Sequence, residues 1–363
     1  MNTSKYTFLL PAYKTRYLEK MLVSITNQTY TDFKVIISDD CSPEPVYDVC
    51  KRFLQDTRFS YRRNEQNIGG GNLVKHWNML VEMCETDYCI MSSDDDVYNP
   101  TFLEEINNLT EKYPDVCLLR GKAQRINANG EITAIDAYAP EFENQVDALY
   151  GFFNLRRIHC LANLVFKTSI LKQKGSFDNF PLAWGSDETA YMKMSMHGIC
   201  NTSSVAFSFR ISDINISGRA SSKQLALRAQ ARIENLGFFE KFMRGLKSDG
   251  SLLSKNRIQE FSRLYKESWL KQIREGMEFS NWEQFKKCYK FLLSQQTIKG
   301  KIDALQLFYI WYRARNIRKL YFHERKPKRE DIKRHAMVFS PKNKHSGYII
   351  CNICNPCTNT ITR

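Results

Sequence analysis

Apolar residues in the first hundred positions fall into two alternating patterns. Short unbroken runs at residues 6–10, 34–37 and 88–91 read as buried strands, with a weaker candidate at 59–61. Between them apolar positions recur at helical spacing: Leu18, Met21, Leu22 and Ile25, then Val46, Val49, Cys50 and Phe53, then Leu73, Trp77, Leu80, Val81 and Cys84. Strand alternating with helix predicts right-handed crossovers and a mostly parallel sheet. Ligands of such sheets bind beyond the carboxyl ends of the strands. Those ends carry Pro11-Ala12-Tyr13, Asp39-Asp40 and Asp94-Asp95-Asp96, so three loops are expected to converge on one crevice. From about Ser222 the pattern changes to long helical stretches, with stripes at Ile258, Phe261, Leu264 and Tyr265 and at Ile302, Leu305, Phe308, Tyr309 and Tyr312.

Composition refines this picture. The chain of 363 residues is 43% apolar and 25% charged, as expected of a soluble protein with two domains. Its net charge of +14 is unevenly placed. Residues 1–217 hold 22 Lys/Arg and 27 Asp/Glu, a net of −5, whereas residues 218–363 hold 31 and 12, a net of +19. A basic part of that kind suits nucleic acid, an anionic membrane surface or a phosphorylated substrate. No apolar run reaches 18 residues, which argues against a transmembrane helix, and the N-terminus lacks the apolar core of a signal peptide. The eleven Cys are then expected as reduced thiols in a cytoplasm. Cys351, Cys354 and Cys357 with His345 have zinc-ligand spacing, but they lie in a terminal Asn/Thr-rich segment that reads more simply as a flexible tail.

Several clusters could carry chemistry. Three adjacent carboxylates at 94–96 repel one another unless a cation is present, and their hard oxygens suit Mg2+ or Mn2+ bridging to phosphates; the alternative is a solvated acidic turn. Asp39 and Asp40 either cap the following turn or accept hydrogen bonds from a base or ribose. The loop from Asn67 through Gly69-Gly70-Gly71 to Asn72 opens a helix without Walker spacing, and Lys75 one turn on either reaches a diphosphate or is solvated. In Trp184-Gly185-Ser186-Asp187-Glu188, Ser186 or Asp187 is an N-cap or Asp187 is a general base. Arg210, after a strand-like run, binds a phosphate or pairs with a carboxylate.

Taken in order, the segments Leu10-Pro-Ala-Tyr13, Ile37-Ser-Asp-Asp-Cys-Ser42, Asn67-Ile-Gly69, Ser93-Asp-Asp-Asp-Val-Tyr-Asn-Pro100 and Trp184-Gly-Ser-Asp-Glu188 resemble a family-2 glycosyltransferase over about residues 5–217. The resemblance implies a GT-A fold, a Rossmann-like sheet with flanking helices, followed here by a basic, mainly helical C-terminal region. It implies a nucleotide-binding half at 1–100 and an acceptor half at 101–217, with a helical region at 218–335 and a tail at 336–363. It implies a nucleotide-diphosphosugar donor, a divalent metal (Mn2+ or Mg2+) and inversion at the anomeric carbon. Pro11, Ala12 and Tyr13 would line the nucleoside pocket and Asp39 or Asp40 would hold the base. Asn72 or Lys75 would approach the base or diphosphate, and Arg210 would help the leaving diphosphate. Asp94 would contact ribose or metal, Asp95 would ligate the metal, and Asp187 would deprotonate the acceptor, with Trp184 and Glu188 at the acceptor. Ser93 stands where the family often has an Asp, so an Asp94-x-Asp96 metal frame is the competing register. Ser186 departs from the family's second acid, and Lys75 replaces a common Arg.

The expected acceptor is a glycan or lipid-linked glycan in bacterial surface polysaccharide synthesis. The C-terminal part is then either a peripheral contact with the inner face of an anionic plasma membrane or a helical subdomain packed on the catalytic domain. Nucleic-acid binding through that part is the alternative function.

Overall fold

The computed structural model describes residues 4–154, 157–215, 221–277, 280, 282–294 and a few positions between 305 and 312. The Cys351–Cys357 cluster, the tail at 336–363 and the basic stretch at 313–334 lie outside these residues. Ten strands form one sheet: β1 Tyr6–Ala12, β2 Phe33–Asp39, β3 Phe59–Arg63, β4 Tyr88–Met91, β5 Val97–Tyr98, β6 Leu118–Ile126, β7 Ile132–Ile135, β8 Phe142–Glu143, β9 Leu164–Lys167 and β10 Ile199–Arg210.

The spatial order is β3-β2-β1-β4-β9-β6-β10-β5, with β7 on β6 and β8 on β10. The first four strands are parallel, as their alternation with helices predicts. β9 enters antiparallel between β4 and β6, so the sheet is mixed beyond its first half. Nothing in the period of Leu164–Lys167 signals this, because strand direction is set by where the preceding chain returns.

Both faces of β1 and β4 are covered, which is why these strands are nearly continuous apolar runs, whereas β3 at the edge is half-exposed and polar. β1 divides its side chains by the two-residue period: Tyr6, Phe8, Leu10 and Ala12 join one core with Leu18, Leu22, Ile25 and Phe102. Leu9 faces the other core, with Val74, Leu80, Phe166 and Tyr191. That second core continues without a break into Ile233, Phe239, Phe261 and Tyr265 of the helical region. The helices Ser222–Glu234, Leu236–Gly245 and Leu252–Met277 therefore cover a face of the sheet side of the molecule. Among the described residues no helix is long and apolar enough to cross a membrane.

Two predicted helices differ in detail. The stripe from Val46 to Phe53 is a five-residue helix, Val46–Cys50, followed by a 3-10 turn at Phe53–Gln55. The helix after the glycines is recorded from Gly69 to Met83 but breaks at Asn72, whose backbone is extended. Asn72 Oδ1 accepts from Lys75 N at 3.0 Å, so Asn72 caps the regular helix that Leu73 begins.

The helices Ser222–Glu234 and Leu252–Met277 touch at Gly276. A Cβ there would come within 2.3 Å of Ala229 Cβ and of the Leu225 carbonyl oxygen. Gly276→Ala is expected to force the two helices apart and destabilise the protein by about 1–3 kcal/mol, read as a lower Tm in thermal unfolding.

Candidate active site

The parallel strands end on one edge, and their acidic residues are used first to organise the loops beyond it. Asp39, fully buried, accepts from Ser42 N at 2.8 Å, from the Tyr61 hydroxyl at 2.6 Å and from Arg63. Asp40 accepts from Asn64 Nδ2 at 2.8 Å, Ile68 N at 2.9 Å and Gly69 N at 2.6 Å. Burial works against the Asp40 carboxylate, but these bonds outweigh it and hold its pKa below the ordinary value. Both the turn and the cap anticipated for these acids are present, and they fix the glycine loop against β2. A Cβ on Gly69 would meet Asp40 Oδ2 at 2.8 Å, so this glycine permits the close approach.

At the end of β4 the three acids are inequivalent. Asp94 Oδ2 accepts from Tyr13 N at 3.0 Å and Lys14 N at 2.8 Å, tying the β1 loop to the β4 loop. Asp96 accepts from Arg210 N at 2.8 Å and from Ser93, with the Cys160 thiol 3.7 Å away. Asp95 Oδ2 accepts from Asn215 Nδ2 at 3.0 Å. Burial pushes the Asp94 carboxyl up to about 6. Burial, with the Asp95 charge beside it, pushes Asp96 up to about 8. Burial raises Asp95 as well.

Of the predicted pocket residues, Ala12 is buried at the end of β1, Pro11 is half-buried, and Tyr13 is exposed with its backbone on Asp94. Lys75 is exposed on the helix that Asn72 caps. Arg210 is 2% exposed: its Nε donates to the Asp95 carbonyl oxygen at 2.8 Å, its Nη1 donates to the Asn127 carbonyl oxygen at 3.2 Å, and its guanidinium lies 4.4 Å from the centre of the Tyr17 ring. It thus supports the acidic loop from beneath.

On the facing side, Asp187 lies in the first turn of the helix Ser186–Met194. Its Oδ2 is 2.8 Å from His159 Nε2 and its Oδ1 accepts from Glu188 N at 2.9 Å. Burial opposes the Asp187 charge, but His159 and the Glu188 N–H more than compensate, and its pKa is lowered. His159 packs edge-on against Phe152, with ring centres 3.9 Å apart. The next residue is Cys160, so a single dipeptide spans from the carboxylate of Asp187 to that of Asp96. Sequence reasoning missed His159, Cys160 and Asn215: none lies at a strand end or in a recognisable spacing, and His159 meets a partner 28 residues away.

Trp184 and Glu188 are held by the helical region. Trp184 Nε1 donates to Gln272 Oε1 at 2.6 Å, and the Arg228 guanidinium lies 3.9 Å from the ring centre. Glu188 receives a two-pronged bond from Arg232, at 2.5 and 2.6 Å.

Among the described residues no group of three or more His, Cys, Asp or Glu side chains is placed to hold a metal ion by itself. The donor set fits a shared cation better. Asp96 is engaged on both oxygens, while Asp94 and Asp95 use one oxygen each in the bonds above. A cation beside Asp94 and Asp95 would relieve the cost of their burial and take its remaining ligands from a bound diphosphate.

A parallel half-sheet with strand order 3-2-1-4 that continues into a mixed sheet, with acidic residues at its carboxyl edge, has the GT-A fold. Residues 7–158 match the family described as "Glycosyl transferase family 2". The poly(ribitol-phosphate) beta-N-acetylglucosaminyltransferase TarS of Staphylococcus aureus is 24% identical over 195 residues, covering 52% of this chain and 32% of that protein. The O-antigen biosynthesis glycosyltransferase WbnJ of Escherichia coli is 28% identical over 171 residues, covering 46% of this chain and 62% of that one. The chain thus spans about a third of the length of TarS. The crystal structure of S. aureus TarS 1–349 in complex with UDP-GlcNAc is similar in fold, with a TM-score of 0.52 at 14% identity over 86% of this chain and 92% of that one.

The His159 contact has a measurable consequence. His159→Gln removes the imidazole whose contact lowers the Asp187 pKa, so the Asp187 carboxyl is expected to titrate at a higher pH than in the wild type. Carbon-detected NMR titration of Asp-labelled protein reads this shift; an unchanged Asp187 titration would show that the two groups are not coupled.

Proposed function

We propose that the protein is an inverting glycosyltransferase that moves a sugar from a nucleotide-diphosphate donor to a hydroxyl of a surface glycan or lipid-linked glycan. The observation that carries this reading is the His159–Cys160 dipeptide, whose two side chains contact the carboxylates of Asp187 and Asp96. The family match and the surface-polysaccharide enzymes among the relatives support the same reading. The family match favours glycosyl transfer over nucleic-acid binding through the basic C-terminal part.

In this reading Pro11, Ala12 and Tyr13 flank the nucleoside, with the walls held in place by Asp39 and Asp40. Asn72 and Lys75 face the base or diphosphate from the capped helix. Asp95, with Asp94 beside it, holds Mn2+ or Mg2+. The cation, when bound, neutralises charge developing on the departing diphosphate. Asp187 accepts the proton of the acceptor hydroxyl. The acceptor oxygen bonds to the anomeric carbon from the face opposite the diphosphate, the carbon–oxygen bond to the diphosphate breaks, and the nucleoside diphosphate leaves with that electron pair. His159 orients the Asp187 carboxylate and keeps it ionised, ready to accept. Arg210 acts indirectly, by supporting the Asp95 backbone.

Contact with an anionic membrane surface is supported by exposed Trp282, Leu305, Phe308, Tyr309 and Tyr312, which precede a sequence with ten Lys/Arg and three Asp/Glu at 313–334. That position would suit a lipid-linked acceptor.

Asp187→Asn is expected to lower transfer by about 10²–10⁴-fold while leaving nucleotide-sugar binding within twofold, by steady-state assay and calorimetry. Near-normal transfer by the variant would remove Asp187 as the base. EDTA is expected to weaken nucleotide-sugar binding, with recovery on adding Mn2+ or Mg2+. Equal affinity with and without chelator in the same titration would show that the cation is not part of the donor site.

A further inference from the structure

The segment that carries Asp187 has an unfavourable backbone. Leu182 and Ala183 adopt left-handed φ values of 58° and 55°, and Gly185 follows at 93°. Left-handed conformations at the two non-glycine residues are unfavourable and persist only where the surroundings enforce them. The helix Ser186–Met194 starts directly after this strained turn, so its orientation, and that of Asp187, is inherited from it.

The enforcing contacts come from the helical region. Gln272 Oε1 accepts from two donors at once, Trp184 Nε1 at 2.6 Å and Arg232 Nε at 2.8 Å. The other two nitrogens of Arg232 grip the Glu188 carboxylate. A Cβ at Gly185 would come within 2.7 Å of Asn235 Nδ2 and 3.1 Å of Arg232 Nη1, so the backbone itself rests on the same helix end. Asn235 is in turn fixed by the Tyr265 hydroxyl, at 2.6 Å. Both ends of the Trp184–Glu188 segment are therefore held by side chains 40 or more residues away in sequence.

We propose that Arg232 is a positioning residue for the reaction: through its fork on Glu188 and its shared acceptor Gln272, it holds the strained Trp184–Glu188 turn so that the Asp187 carboxylate points into the crevice. This rests on the assignment of Asp187 as the base. The helical region is then part of the catalytic apparatus. Arg232 is 6% exposed and the Glu188 side chain 15% exposed, so the pair is largely desolvated, and such pairs contribute little net stability while strictly limiting geometry. The geometry is what only a planar guanidinium supplies: two parallel bonds to one carboxylate with a third donor left for Gln272. Lys offers the charge without the fork.

The test compares Arg232→Lys, Arg232→Gln and Asp187→Asn in the full chain. The probe is the nucleotide sugar that gives the largest thermal shift with Mn2+ in a screen of UDP-, GDP-, dTDP- and CMP-sugars. The assay is its slow transfer to water, read as released nucleotide. Both Arg232 variants are expected to lose about 10²-fold in kcat with donor KM unchanged within twofold and with native circular dichroism. A loss confined to KM, full activity in either variant, or rescue by Lys would overturn the proposal. Should an Arg232 variant not fold, Glu188→Gln and Gln272→Ala loosen the same clamp from its two ends, and full kcat in both overturns it equally. Activity in Asp187→Asn would instead remove the base assignment on which the proposal rests, whereas an inactive Asp187→Asn beside fully active Arg232 variants would remove the clamp alone.

Discussion

Where a parallel strand runs out, the backbone N–H groups of the loop beyond it have no neighbouring strand to bond, and burying them unpaired is costly. In this protein carboxylates at the strand ends take over that pairing. Asp39 serves Ser42, Asp40 serves Ile68 and Gly69, Asp94 serves Tyr13 and Lys14, and Asp96 serves Arg210. The loops at the carboxyl edge are fixed in place by these bonds. The same constraint divides the acidic triplet: Asp94 and Asp96 knit loops together, and Asp95 between them lies over the Arg210 guanidinium that supports its backbone.

Much of this was legible in the residue pattern. β1 and β4 stand out because both their faces are buried, β2 does so despite exposed Lys34, and the half-exposed β3 is only weakly marked; the carboxyl-edge rule then places the acids of β2 and β4 together. Leu73 is visible as the start of a helical stripe, and the structure supplies the reason in the Asn72 cap. What was not legible depends on distant returns of the chain. The antiparallel β9 has no local mark of its direction, and His159 meets Asp187 only after the chain has passed through β9 and the helix Thr168–Gln173 to reach the helix Ser186–Met194. Arg232 and Gln272 sit in helices whose apolar stripes reveal a buried face but not which polar neighbour it meets.

The uneven charge also acquires a local meaning. Cationic side chains of the helical region are not simply a solvated coat: Arg257 pairs with Asp147 and Arg232 with Glu188, both on the acidic front part of the chain. Some of the opposite charge between the two parts is therefore neutralised across their shared core.

The bond from Arg232 to Glu188 also limits how such enzymes can be recombined. The interval around residue 217 looks like a seam in composition, and exchanging everything after it would be the natural way to build a chimera. That exchange would carry a largely desolvated carboxylate away from its counter-charge and leave a tryptophan without the acceptor for its ring N–H. A workable crossover has to move the Trp184–Glu188 turn and the helices through Met277 as one inheritance.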